Sequence, residues 1–156
     1  MRSGVLVVVC LATVAALAAT RRPDFAGAWE CSPEKSKNLG MMAQVKLQDI
    51  IQQTDAALDE RSISTFQGSG QEMKTHYDLT GKPASNDSPM EGPSETVSKW
   101  AANKLVTTWT SQSAVAGGAK VVRTETRSLS PDGRTMTIES VCGSNAPVVM
   151  VFDKKR

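Results

Sequence analysis

The sequence predicts an all-β fold, an antiparallel up-and-down meander of about nine strands that closes into a barrel or a strongly curved sheet. Two features of the chain carry that expectation. Turn signals recur at short intervals: Gly68-Ser69-Gly70, Thr80–Pro83, Ala101-Ala102-Asn103, Gly117-Gly118, Ser130–Gly133 and Gly143–Pro147. Between them the chain is dense in β-branched residues, as strands of a meander require. The length adds a third constraint, because about 137 residues after an N-terminal leader suit one domain with one core.

From the N-terminus, Asp24 to Cys31 reads as the first strand, with Phe25, Gly27, Trp29 and Cys31 on one face. Residues 41–58 place Val45, Leu47, Ile50, Ile51, Thr54 and Leu58 at a spacing that an amphipathic helix would also give. Strand is the preferred reading, with a hairpin turn at Gln53-Thr54-Asp55, because sequential strands usually pair. Arg61–Phe66 follows as a strand. In the segment around His76, alternation puts Met73, Thr75 and Tyr77 on one face and Glu72, Lys74 and His76 on the solvent side. Residues 80–96 are rich in Pro, Gly, Ser and Asn and read as a long loop with room for one short strand. The clearest strands come last, at 105–110, 120–127, 134–141 and 148–152, with a type I turn at Ser130-Pro131-Asp132-Gly133.

The first nineteen residues read as an export signal. Arg2 gives a positive start, Gly4–Leu17 is apolar, and Ala16-Leu17-Ala18 offers a small-x-small cleavage site after Ala18 or Ala19. An uncleaved anchor is the competing reading, but Gly4 to Ala19 is 16 residues, short of the roughly 20 that cross a bilayer. The expected organisation is therefore a signal peptide at 1–19 and a single barrel domain at 20–156, located in the periplasm or outside the cell. Any membrane contact is confined to export. Without Arg2, 17 basic residues face 16 acidic ones, a net charge of +1 that indicates no nucleic-acid surface.

Cys10 falls within the signal, so Cys31 and Cys142 remain, an even pair read first as a disulfide in an exported protein. In the 134–142 strand, Met136, Ile138, Ser140 and Cys142 share a face, so two inward faces would let a Cys31–Cys142 bond staple the barrel's seam. The alternative is two buried free thiols. A zinc site is disfavoured, because His76 is the sole histidine and Cys-x-x-Cys is absent. No cofactor is implied.

Asp24–Ser36 (DFAGAWECSPEKS) resembles the opening strand of a group of exported, mostly uncharacterised bacterial lipocalin-like proteins, barrels of calycin type. Thr75–Pro83 (THYDLTGKP), Lys99-Trp100, Ser128–Gly133 (SLSPDG) and the final Val151-Phe152-x-Lys154 match the same layout. The resemblance implies a barrel closed at one end by the indole of Trp29.

Candidate ligand contacts are Trp29, Tyr77, Trp100 and Trp109, since a mixed apolar and hydroxyl face can line a cavity. For each tryptophan, core packing is the competing explanation. No nucleophile element such as Gly-x-Ser-x-Gly occurs, and Asp59 and Glu60 project to opposite faces, so no catalytic residue is assigned. The leading expectation is a non-enzymatic binding module for a small apolar or amphipathic molecule. Next comes a structural or interaction protein with a filled barrel that meets a partner through its loops; a hydrolase is third.

Overall fold

The computed structural model describes residues 22–88, 92–112 and 117–156. The expected signal at 1–19 lies outside the described residues. Ten strands follow one another: β1 (Gly27–Cys31), β2 (Lys46–Gln53), β3 (Ala57–Phe66), β4 (Ser69–Asp78), β5 (Pro83–Ser88), β6 (Gly92–Ala101), β7 (Lys104–Gln112), β8 (Lys120–Leu129), β9 (Thr135–Cys142) and β10 (Val148–Lys154). A 3-10 helix, Gly40–Gln44, sits in the β1–β2 connection. All ladders are antiparallel, and the sheet order is β4-β3-β2-β1-β10-β9-β8-β7-β6-β5. The all-β meander is thus as expected, with one strand more than the nine counted from sequence.

The additional strand lies in residues 80–96. That stretch forms β5 and the start of β6, paired from Pro83↔Val97 to Ser88↔Gly92. Its Pro and Gly content is tolerated because β5 is an edge strand, with one side outside any ladder. The 41–58 region resolves as strand from Lys46 onward, with β2 and β3 joined through Thr54–Ala56. Thr54 holds that turn, its hydroxyl accepting from the backbone N–H of Ala56 and Ala57. Between β3 and β4 the turn is Gln67-Gly68, both with positive φ (49° and 82°), the two-residue geometry that follows strand twist.

Alternation is clearest in β6 and β7, whose buried residues face the lumen. One end of the lumen is filled by a cluster that includes Phe25, Trp29, Leu58, Leu105, Met136 and Phe152, each at most 2% exposed. Burying each such side chain stabilises by about 1.5–3 kcal/mol. Gly27 is required at this end: its φ is +134°, and a Cβ there would lie 2.8 Å from Lys154 Cε. The lysine stem crosses that bare backbone and carries its ammonium to 5.1 Å from the centre of the Trp29 ring.

The expected disulfide is absent: Cys31 and Cys142 are both free thiols. Register gives the reason. Cys31 pairs with Phe152, and Phe152 pairs with Met136. Cys142 lies six residues farther along β9, about 20 Å at ordinary strand rise, whereas a disulfide needs Cα atoms within about 7 Å. Nor does the β1–β10 junction need a staple, because a backbone ladder from Trp29↔Lys154 to Cys31↔Phe152 already joins it. Alkylation in denaturant without reductant, mapped by peptide mass spectrometry, should label both Cys31 and Cys142. A cross-linked Cys31–Cys142 peptide would overturn this register.

Candidate functional site

The middle of the lumen is ionic. Arg127 on β8 and Glu60 on β3 form an ion pair between walls that lie five strands apart in the sheet of ten. Arg127 Nη2 also reaches Glu125 Oε1 at 3.3 Å, and Arg123 stands 3.9 Å from Glu125 Oε2. Arg127 is 2% exposed and Glu60 and Glu125 are each 7% exposed. Burial alone would lower the arginine's pKa, but the charges of Glu60 and Glu125 outweigh it and hold the guanidinium protonated. Its face also covers two rings, 5.2 Å from the centre of Tyr77 and 5.9 Å from that of Phe25.

Asp49 on β2 belongs to the same cluster. Burial, and then the charge of Glu60, push its carboxyl up to about 8, which favours the neutral form. The Ser62 hydroxyl lies 2.7 Å from Asp49 Oδ1 and 3.3 Å from Glu60 Oε1, tying β2 and β3 together inside the lumen. Burial, and then the charges of Glu125 and Glu60, raise the Tyr77 phenol well above its ordinary value.

The four aromatic candidates divide into two groups. Trp29 and Trp100 both adjoin Phe25 at the apolar end. The Trp29 indole donates to the Phe25 carbonyl at 2.8 Å, and Trp100 stacks on the Phe25 ring at 6.2 Å with planes 9° apart. Tyr77 and Trp109 meet edge to face at 5.9 Å beside the ionic cluster, and the Arg123 guanidinium lies 4.7 Å from the centre of the Trp109 ring. Trp109 is 3% exposed, yet its indole N–H has no partner among the described residues.

Edge strands β4 and β5 face each other across a seam with no ladder among the described residues. One side chain takes the ladder's place. Asn86 Oδ1 accepts from the His76 backbone N–H, while Nδ2 donates to the His76 carbonyl and to Thr96 Oγ1, each at 2.8 Å. Over this seam lies an open groove of about 880 Å³. Its lining includes outward-facing Asp59 and His76, paired at 2.7 Å, and also inward-facing Glu60, Thr75 and Ser94. His76 thus stands on the outer wall, as alternation indicates, and the groove borders the inward-facing Glu60, Thr75 and Ser94 at the seam.

Asp49, Asn86, Glu125 and Arg127 were not singled out from sequence, and Glu60 was weighed only as the neighbour of Asp59. On β8 one face carries Arg123, Glu125 and Arg127, and the other Val122, Thr124 and Thr126, so polarity suggests that the charged face meets water. Leu129, on the charged face at its end, is the contrary signal. On β2, Asp49 lies between Leu47 and Ile51 on one face, a legible hint of a buried carboxyl.

No family model matches the chain, and no curated protein sequence does. Solved structures do match in fold. Fatty-acid-binding protein 1 of Echinococcus granulosus superposes with a TM-score of 0.63 at 15% identity, over 85% of this chain and 98% of that one. A variant of the fluorescent protein UnaG gives 0.62 at 12% identity, over 85% and 96%. A structure described as the REP1-NXSQ fatty acid transporter gives 0.61 at 12%, over 84% and 96%. The fold is a ten-stranded, calycin-like barrel.

Two stability predictions follow from the ionic centre. Replacing one partner of the cross-lumen pair, Glu60→Gln or Arg127→Met, should destabilise by about 3–5 kcal/mol in urea unfolding, because a buried charge loses its counterion. The double replacement Glu60→Leu with Arg127→Met should recover at least half of that loss. Asp49 sets a pH dependence. Its folded pKa near 8 lies above the unfolded value of about 3.9, so its contribution is full below about pH 4 and declines as pH rises to about 8. Asp49→Asn should remove that decline, leaving the variant more stable than the parent above about pH 8 by on the order of 1 kcal/mol or more. Parallel stability–pH curves for the two proteins would contradict it.

Proposed function

We propose that the protein is an exported binding barrel of the bacterial lipocalin-like group that holds a small apolar or amphipathic molecule entering sideways through the β4–β5 seam. The observation carrying this reading is the groove of about 880 Å³, which brings lumen residues Glu60, Thr75 and Ser94 within reach of the outside. Its size is typical of small-molecule sites. The fatty-acid-binding proteins that share the fold support a binding role over a catalytic one. Export is supported by the three-part N-terminal leader, and membership of the group by Asp24–Ser36 and the later matching segments.

In this reading Asn86 is the latch of the entry. Three hydrogen bonds from one amide join β4, β5 and β6, where a continuous ladder would have sealed the wall. A second reading, a protein that contacts a partner through its loops, draws on Met41 and Met42, exposed in the β1–β2 connection at 87% and 40%.

Native mass spectrometry of protein purified from its own host tests both. The expected result is a bound small molecule released on denaturation, on a chain beginning at Ala19 or Thr20. Repeated preparations that carry a protein partner and no small molecule would replace the first reading with the second.

A further inference from the structure

We propose that the polar centre of the lumen, beside Trp109, receives an uncharged head group that both donates and accepts hydrogen bonds, a hydroxyl or a primary amide on an apolar body, and rejects a carboxylate. The inference rests on the binding-barrel reading and specifies the ligand's chemistry.

Charge balance comes first. An anion buried in a lumen needs a cation to compensate it, since an uncompensated charge in a low-dielectric site is strongly disfavoured. Both lumen arginines already have acidic neighbours. Arg127 lies between Glu60 and Glu125, and Arg123 is beside Glu125. With Asp49 in its neutral form the two arginines match the two glutamates, and with Asp49 ionised the acids exceed them by one. In either state a carboxylate enters a centre with no excess of positive charge. An ammonium gains no free partner from the glutamates, because Glu60 and Glu125 are both engaged by arginine.

Hydrogen bonding supplies the positive requirement. Trp109 faces inward, is 3% exposed and touches Tyr77, yet its indole N–H is without an acceptor among the described residues. An indole can only donate, so an oxygen must come to it. Tyr77 links Trp109 to the cluster: the Arg127 guanidinium lies 5.2 Å from the tyrosine ring, and Glu60 and Asp49 both act on its phenol. Glu60, tied to β2 through the Ser62 hydroxyl that also reaches Asp49, supplies acceptor oxygens for a head group's hydrogen. A hydroxyl or primary amide meets both demands with no net charge, whereas a carboxylate offers no hydrogen.

The test compares probes of equal chain length on the mature protein at neutral pH, read by tryptophan fluorescence: dodecanol, dodecanamide, dodecanoate and dodecylammonium. Dodecanol or dodecanamide should bind at least about tenfold more tightly than either charged probe. Trp109→Phe, which keeps a ring but removes the donor, should abolish most of that preference while the thermal melt by circular dichroism stays cooperative. Glu125→Gln, which strips Arg127 of one carboxylate, should shift the preference toward dodecanoate. Dodecanoate or dodecylammonium binding as tightly as the neutral probes overturns the head-group assignment and leaves the binding barrel standing. If none of the four binds, the binding-barrel reading falls and this inference with it. Unchanged selectivity in Trp109→Phe removes the indole from the site and overturns the assignment made here.

Discussion

An arginine on β8 and a glutamate on β3 meet across the lumen, and much of the interior is arranged around that contact. The two strands belong to opposite walls, so the pair is a strut joining parts of the sheet that no backbone ladder connects. Removing two charges from water is unfavourable, and the strut is tolerable only because its neighbours finish the solvation. Glu125 supplies the second carboxylate, and the rings of Tyr77 and Phe25 receive the guanidinium's face. Burial, and then the charge of Glu60, push the Asp49 carboxyl toward its neutral form. Below this plane the lumen packs as an ordinary apolar core around Phe25, and at it the walls turn polar.

The sheet places a second constraint where it has no ladder. A ten-stranded meander could hydrogen-bond all the way round, but β4 and β5 diverge after the Asp78–Lys82 turn. Asp78 itself caps that turn, accepting from the backbone N–H of Thr80 at 2.8 Å. Backbone groups at such a gap lose their ladder partners. The Asn86 amide provides new ones for both polar groups of the His76 backbone, because a primary amide presents the same donor and acceptor as a peptide unit. A side chain can swing away by bond rotation, whereas a ladder opens only by separating several bonds together. The seam is therefore closed by the one kind of contact that can release locally.

How legible this was in the sequence depends on which signal each residue carried. Strands with a simple apolar face read correctly: Trp29 and Cys31 on β1, Met136 and Ile138 on β9, Thr75 and Tyr77 on β4. Turns with special backbone demands, such as Ser130–Gly133, were equally plain. Residues 80–96 misled because Pro and Gly argue against a central strand, and only the tertiary arrangement makes β5 an edge. The cysteines misled because sharing an inward face says nothing about height along the strand, which only register supplies. The ionic centre was hidden for a deeper reason. Arg123, Glu125 and Arg127 occupy a face that polarity assigns to water, and their burial depends on Glu60, some sixty residues away in the chain. Single-strand patterning cannot report a compensation made across the barrel.

That hidden centre is also where this chain's chemistry is most its own. A shared barrel fixes the strands and leaves the inward side chains to set what the lumen accepts. Here the hydroxyls of Ser98 and Thr107, 2.9 Å apart, and the buried Ser94, Thr96 and Ser111 line β6 and β7 with small groups that donate and accept equally. The arginines on β8 face their own carboxylates. A wall of neutral hydroxyls on the strands next to the arginine end of a compensated ionic strut offers hydrogen bonds without a net field. Selection by such a site turns on whether a guest can give a hydrogen and take one, and the Trp109 indole, without an acceptor among the described residues, marks where the taking begins.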